Sequence, residues 1–174
     1  MAGRALLFLD VDGTLLPSDG AKLDATLVDW QEWQSNRNPR LARIDRTHGR
    51  LLLALACDLV WATAWMHDAN EVIPPLLGLP PLPVADLPEA PPEDPIGALH
   101  WKTAPLVAAA AGRRFVWLDD EISDIDREWV RAHHGESALL HRVDPRSGLT
   151  EADLAVVGHW LGRSRTDEHP PTKG

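Results

Sequence analysis

A three-layer, Rossmann-like α/β domain around a central parallel sheet is the fold this chain predicts, and three observations carry that expectation. Continuous apolar runs end abruptly in polar residues, as strands buried on both faces do: Ala5-Leu6-Leu7-Phe8-Leu9 before Asp10, Leu59-Val60-Trp61-Ala62 before Thr63, and Phe115-Val116-Trp117-Leu118 before Asp119-Asp120. Helix-like stretches lie between and after them, so strand and helix alternate. The polar residues that close the runs stand where open α/β sheets hold their ligands, outside the carboxyl ends of the strands.

After the first strand, residues 13–47 read as a flap, with Arg40-Leu41-Ala42-Arg43-Ile44-Asp45 as an amphipathic strand inside it. Helices are expected over 48–57, 65–73, 103–111, 122–133 and 151–161. Two are marked by their ends. Thr150 stands as an N-cap before Glu151-Ala152-Asp153, and Pro105 sits in the first turn of a helix that Gly112 stops. A weaker strand, 138–143, precedes the turn Asp144-Pro145-Arg146-Ser147-Gly148. From Pro74 to Pro95 the chain carries nine prolines, which forbid a long helix or a central strand and predict a surface loop over 74–95 with a short strand near 82–84. The expectation is one domain over 1–162 and a disordered tail over 163–174.

Composition narrows the function. The 174 residues hold 17 basic and 26 acidic side chains, a net charge of −9, so the chain as a whole does not attract a polyanion. A single cysteine, Cys57, forms no internal disulfide and reads as a buried thiol. The apolar run before Asp10 is too short for a signal peptide, and no stretch reaches the ~20 residues of a membrane span, so a cytoplasmic protein is expected.

Asp10-Val11-Asp12-Gly13-Thr14-Leu15 places two carboxylates, two residues apart, at the end of the first buried strand, with Gly13 permitting a sharp turn. An EF-hand calcium loop is disfavoured, because its twelfth position would be Ala21 rather than Glu. The pattern resembles the first motif of the haloacid dehalogenase (HAD) superfamily. Three further elements follow in that superfamily's order. Thr63 looks like the motif-two hydroxyl that bonds the transferring phosphoryl group, Lys102 like the motif-three lysine, and Asp119-Asp120-Glu121-Ile122-Ser123-Asp124 like the acidic fourth motif. Taken singly, Thr63 reads equally as a helix cap, Lys102 as a solvated lysine, and Asp119, Glu121 and Asp126 as first-turn acids. Their order lifts them.

The resemblance implies a phosphohydrolase. Phosphoryl transfer needs an in-line nucleophile, a proton donor for the leaving oxygen and positive charge against the phosphate oxygens. Asp10 would be the nucleophile, forming an aspartyl-phosphate, Asp12 the general acid and base, and Lys102 the counter-charge. Mg²⁺ would be held by Asp10, Asp120 and the backbone carbonyl of Asp12, with Asp119 and Asp124 in support. Between Asp119 and Asp120 the direct ligand stays open, the superfamily spacing to Asp124 favouring Asp120. Gly13, Thr14, Ala64, Trp65, His67 and Trp101 would line the substrate pocket.

Asp12 and Thr63 stand 51 positions apart, and Thr63 and Lys102 39 apart, too little for a large cap. The chain is therefore similar to capless HAD domains, and through Trp61-Ala62-Thr63-Ala64-Trp65 and Trp101-Lys102-Thr103 to small actinobacterial-type members, including those grouped with RNA-repair proteins. The implied activity is Mg²⁺-dependent hydrolysis of a phosphomonoester, on a phosphorylated substrate that in capless members is often macromolecular, with nucleic acid entering only as a phosphorylated end. The rival readings are a catalytically weak binding module in a larger complex and, less favoured for want of a cap, a phosphotransferase. The arginines 37, 40, 43, 46 and 50 read as a solvated flap, and adjacent His133 and His134 point too far apart on a helix to share a metal. The remaining tryptophans read as core.

Overall fold

The computed structural model describes residues 3–18, 27–93 and 95–163. The expected tail therefore lies outside the described residues beyond Arg163, as do residues 19–26 of the flap. Four strands, β1 (Ala5–Leu9), β2 (Cys57–Trp61), β3 (Phe115–Asp119) and β4 (Ala138–Arg142), form one parallel sheet in the order β2-β1-β3-β4. The central strands are sealed on both faces, and this is why their sequences read as unbroken apolar runs rather than as alternation.

Successive side chains nevertheless enter different cores. Leu7, Leu9, Leu59, Trp61, Val116 and Leu118 face one layer of helices, α2 (His48–Leu53), α3 (Asp68–Leu77) and α6 (Glu151–Gly162). Leu6, Phe8, Val60, Phe115 and Trp117 face the other, α4 (Thr103–Ala110) and α5 (Asp124–His134). This is the three-layer, Rossmann-like arrangement. Leu7, Leu9, Trp61 and Trp117 are fully enclosed, and each such side chain contributes about 1.5–3 kcal/mol relative to exposure.

Several elements differ from the sequence reading. The strand expected over 40–45 is a 3-10 helix, Pro39–Arg43: the Asn38 side chain accepts from the Arg40 N–H, and Pro39 fixes the first φ. These two local devices outweigh the weak alternation that follows. The helix expected over 65–73 begins only at Asp68, because Met66 takes a left-handed φ of 48° in the turn after β2. It then runs through Pro74 and Pro75 to Leu77 and ends on Gly78 in the left-handed region. The prolines forfeit two helical bonds, but Ile73 and Leu77 are buried in the core and hold that last turn in place. Near 82–84 there is a single bridge, Trp61 to Val84, since prolines 80, 81 and 83 cannot donate to a ladder. The helix expected over 48–57 stops at Leu53, and Cys57 opens β2.

Among the described residues of the flap a short α-helix, α1 (Trp30–Trp33), precedes that 3-10 helix, capped by Asp29 accepting from the Glu32 N–H.

Candidate active site

The polar ends of β1 and β3 meet because these strands are hydrogen-bonded neighbours; Asp10 N–H donates to the Leu118 carbonyl at 3.2 Å. Asp10, Asp119 and Asp120 each place a carboxylate oxygen within 4.8 Å of the others. Lys102, 3% exposed, reaches up from the start of α4 and donates to Asp10 Oδ1 at 2.9 Å and Asp119 Oδ2 at 2.7 Å. Asp119 is wholly buried, and both its oxygens already have donors: Trp117 Nε1 also donates to Oδ2 at 3.2 Å, and the Glu121 N–H to Oδ1 at 3.0 Å. Asp120 lines the cleft instead.

The turn after Asp12 depends on Gly13. Its φ is 73°, and a Cβ there would lie 2.3 Å from Asp120 Oδ2, so a side chain would both strain the backbone and displace the acid. The Asp12 carboxylate is held differently: Trp33 Nε1 donates to Oδ1 and Trp65 Nε1 to Oδ2, each at 2.8 Å.

Crowding sets the electrostatics. Burial, and then the charges of Asp119 and Asp120, push Asp10 well above the usual carboxylate range, with Lys102 opposing. Burial, Asp119 and Glu121 raise Asp120 to about 8. Burial also raises Asp12, against the two indole bonds. For Lys102, burial alone would lower the pKa, but Asp10 and Asp119 raise it overall and keep it charged. A site with more buried acids than cations fits a hard divalent cation, and its oxygen-only donors are those that Mg²⁺ or Ca²⁺ prefer. A second group, His100, Asp119 and Glu121, adjoins the first.

Above these residues opens a cleft of about 710 Å³. Trp30 and Gln34 of the flap form one wall, Met66 and Trp101 another, and the proline-rich stretch 87–93 a third.

The family model for the HAD domain in Swiss Army Knife RNA repair proteins matches residues 6–154. The chain belongs to that family. Among solved structures, this HAD domain is similar to the HAD domain of effector protein Lem4 from Legionella pneumophila, at 12% identity over 92% of this chain and 98% of that one, with a TM-score of 0.50. That likeness is one of fold. No curated protein matches.

The fold brings Asp10, Asp12, Lys102, Asp119 and Asp120 of the HAD domain together, with Gly13, Ala64 and Trp101 on the cleft. Thr63 lies two residues beyond β2 and is fully buried, its Oγ1 accepting from the Trp65 N–H at 3.2 Å. Trp65 is buried and meets Asp12 rather than open space. Thr14 is also fully buried, its carbonyl accepting from the Leu149 N–H at 2.7 Å, and does not line the cleft. His67 is exposed at the start of α3 and does not line it either. Asp124 projects into solvent, 94% exposed, and pairs with Arg127 at 3.0 Å. It lies at the first position of α5, where the dipole favours an acid, which accounts for it without a metal.

Residues to which the sequence reading gave no part in the site also build it. Asp126 is buried and accepts four bonds: from His100 N–H (2.9 Å), Thr103 Oγ1 (2.7 Å), Ser123 N–H (2.8 Å) and Ser123 Oγ (2.7 Å). It ties the segment carrying Lys102 to α5. The Ser123-x-x-Asp126 capping box was the readable signal for it. Trp33 had no signal beyond its residue type.

Proposed function

We propose that this HAD domain hydrolyses phosphomonoesters through an aspartyl-phosphate on Asp10, with Mg²⁺ as cofactor. One observation carries the reading. Asp10 faces the cleft with one oxygen fixed by buried Lys102, while Asp12, two residues on, stands in the same cleft as a carboxylate held by neutral donors.

In the first half-reaction a free Asp10 oxygen attacks phosphorus and the ester P–O bond breaks. Asp12 gives its proton to the departing oxygen, for which a raised pKa suits it. In the second, Asp12 takes a proton from water, the water oxygen attacks the aspartyl-phosphate, and orthophosphate leaves Asp10 free. Lys102 offsets charge on Asp10 and orients it throughout. Asp10, Asp120 and the Asp12 carbonyl would hold Mg²⁺, Asp120 being favoured over Asp119 because the latter's oxygens are already engaged. Bound there, the cation supplies positive charge to the phosphate oxygens.

Among the described residues Lys102 is the sole cation lining the cleft, beside Glu89, Glu93 and Glu121. This favours a single terminal phosphate on a larger molecule over a track for a polyanion, so RNA would enter as a phosphorylated end. The family's occurrence in RNA-repair proteins favours a second reading, an accessory module of such an assembly.

The test is release of inorganic phosphate with and without Mg²⁺ from aryl phosphate, nucleotides, sugar phosphates, phosphopeptides and end-phosphorylated oligonucleotides. Turnover that Asp10→Asn and chelation each reduce more than about 10³-fold supports the phosphatase. No turnover on any ester, with Mg²⁺ still bound, moves the reading to the accessory module.

A further inference from the structure

Asp12 receives an indole N–H on each carboxylate oxygen, from two tryptophans that belong to different parts of the chain. Trp65 comes from the turn after β2 and is 1% exposed. Trp33 comes from the flap, 21 residues beyond Asp12. Its placement is itself supported at several points. The buried Asn38 side chain donates to the Trp33 carbonyl at 2.9 Å, Arg40 lies over the ring at 5.7 Å, and the neighbouring Gln34 side chain donates to the Ala64 carbonyl at 3.4 Å. The flap is thus pinned to the loop that carries Asp12 and to the turn after β2 that carries Trp65.

Packing alone does not require this arrangement. An indole packs as well with its N–H turned to a backbone carbonyl or to solvent, yet here two are aimed at one side chain. The donors are also neutral. Lys102 adds a full charge to its partners, whereas an indole N–H fixes direction without bringing a counter-charge. Occupying both oxygens leaves the carboxyl group no freedom to rotate out of the cleft.

We propose that Trp33 and Trp65 form a clamp that positions the Asp12 carboxyl toward the leaving-group oxygen, so that the flap supplies a positioning residue to the reaction. The proposal rests on the phosphatase reading of the site. Catalytic residues held by such supporting bonds lose rate when the support is removed, even though the support never touches substrate.

The first experiment observes the bonds without turnover. In the full chain labelled with ¹⁵N, Asp12→Asn replaces one acceptor oxygen with an NH₂ group that faces an indole donor. The Nε1–H resonance of Trp33 or Trp65 should move strongly, while those of Trp61, bonded to Asn70, and Trp117, bonded to Asp119, stay in place. Resonances of Trp33 and Trp65 that both stay in place would overturn the clamp.

The second experiment compares leaving groups. Trp33→Phe keeps an aromatic ring and loses the N–H. Its kcat/KM on an alkyl phosphate, which reports only the steps up to the aspartyl-phosphate and whose leaving oxygen needs a proton, should fall about tenfold, and its kcat/KM on an activated aryl phosphate by less than about twofold. In an Asp12→Asn background the same change should cost almost nothing more. Equal losses on both esters, or a loss that adds in full to that of Asp12→Asn, mark a structural role and sink the proposal. A wild-type chain inactive on every ester overturns the phosphatase reading and the clamp's catalytic role with it, while the resonances still report whether the bonds exist.

Discussion

Two helices of this domain begin with the same device and put it to different ends. Ser123 and Asp126 close a reciprocal capping box on α5; Thr150 and Asp153 close one on α6. In α6 the box stays near the sheet edge: the spare Asp153 oxygen meets His141 Nε2 of β4 at 2.7 Å, and both side chains are 20% exposed. In α5 the spare Asp126 oxygen turns inward and takes the His100 N–H and the Thr103 hydroxyl, fixing the segment that delivers Lys102. A local helix-start signal becomes part of the site only where a second loop lies within its reach.

The largest expected effect comes from breaking the inner box. Asp126→Ala leaves several buried donors without an acceptor and should cost about 3 kcal/mol, lowering Tm by about 9 °C, and should also slow phosphate release because Lys102 loses its support. Stability from thermal unfolding and kcat from the same sample check both parts. Close behind in size, Mg²⁺ at a hundred times its dissociation constant should raise stability by about 2.7 kcal/mol. At one fixed Mg²⁺ concentration the gain should be larger at pH 8 than at pH 5. The folded pKa of Asp120, at about 8, lies above its unfolded value, so this group's contribution is full at low pH and is lost as pH rises toward 8, where the cation replaces the proton.

The outer box should cost less. Asp153→Ala is expected to destabilise by about 2 kcal/mol without changing kcat, and a large loss of activity would erase the distinction drawn here. Asp126 and Asp153 share one pH signature. Burial opposes it, but their hydrogen bonds lower both pKa values, so their stabilisation is present above the ordinary carboxylate range and fades as pH falls through the folded values. Thr150→Ala should have the smallest effect, about 1 kcal/mol in thermal unfolding, again with unchanged kcat.

The parallel sheet was legible because burial on both faces leaves a signature of four or five consecutive apolar residues, and Asp10, Thr63 and Asp119 follow those runs directly. Lys102 was legible from its order along the chain. What sequence could not show are contacts set by the flap's path. Trp33 meets Asp12 only because Asn38 and the short helix before it turn the chain back, and nothing in Trp30-Gln31-Glu32-Trp33 announces the partner. The segment 40–45 misled because alternation over six residues is weaker than a single well-placed Asn-Pro. Thr63 stands just past the end of β2, and the Trp65 N–H that its buried Oγ1 accepts is a contact the sequence did not announce.

The Lys102–Asp10 pair joins residues 92 positions apart, and β1 lies in the sheet between β2 and β3, both of which follow it by long stretches of chain. Contacts of such separation close late in folding, because the entropy of a long loop is lost before any bond rewards it. The acids of β1 and β3 repel one another until Lys102 arrives between them. A chain still emerging from synthesis therefore has no partial version of this centre, which is assembled only when the segment carrying Lys102, Asp119 and Asp120 has joined β1.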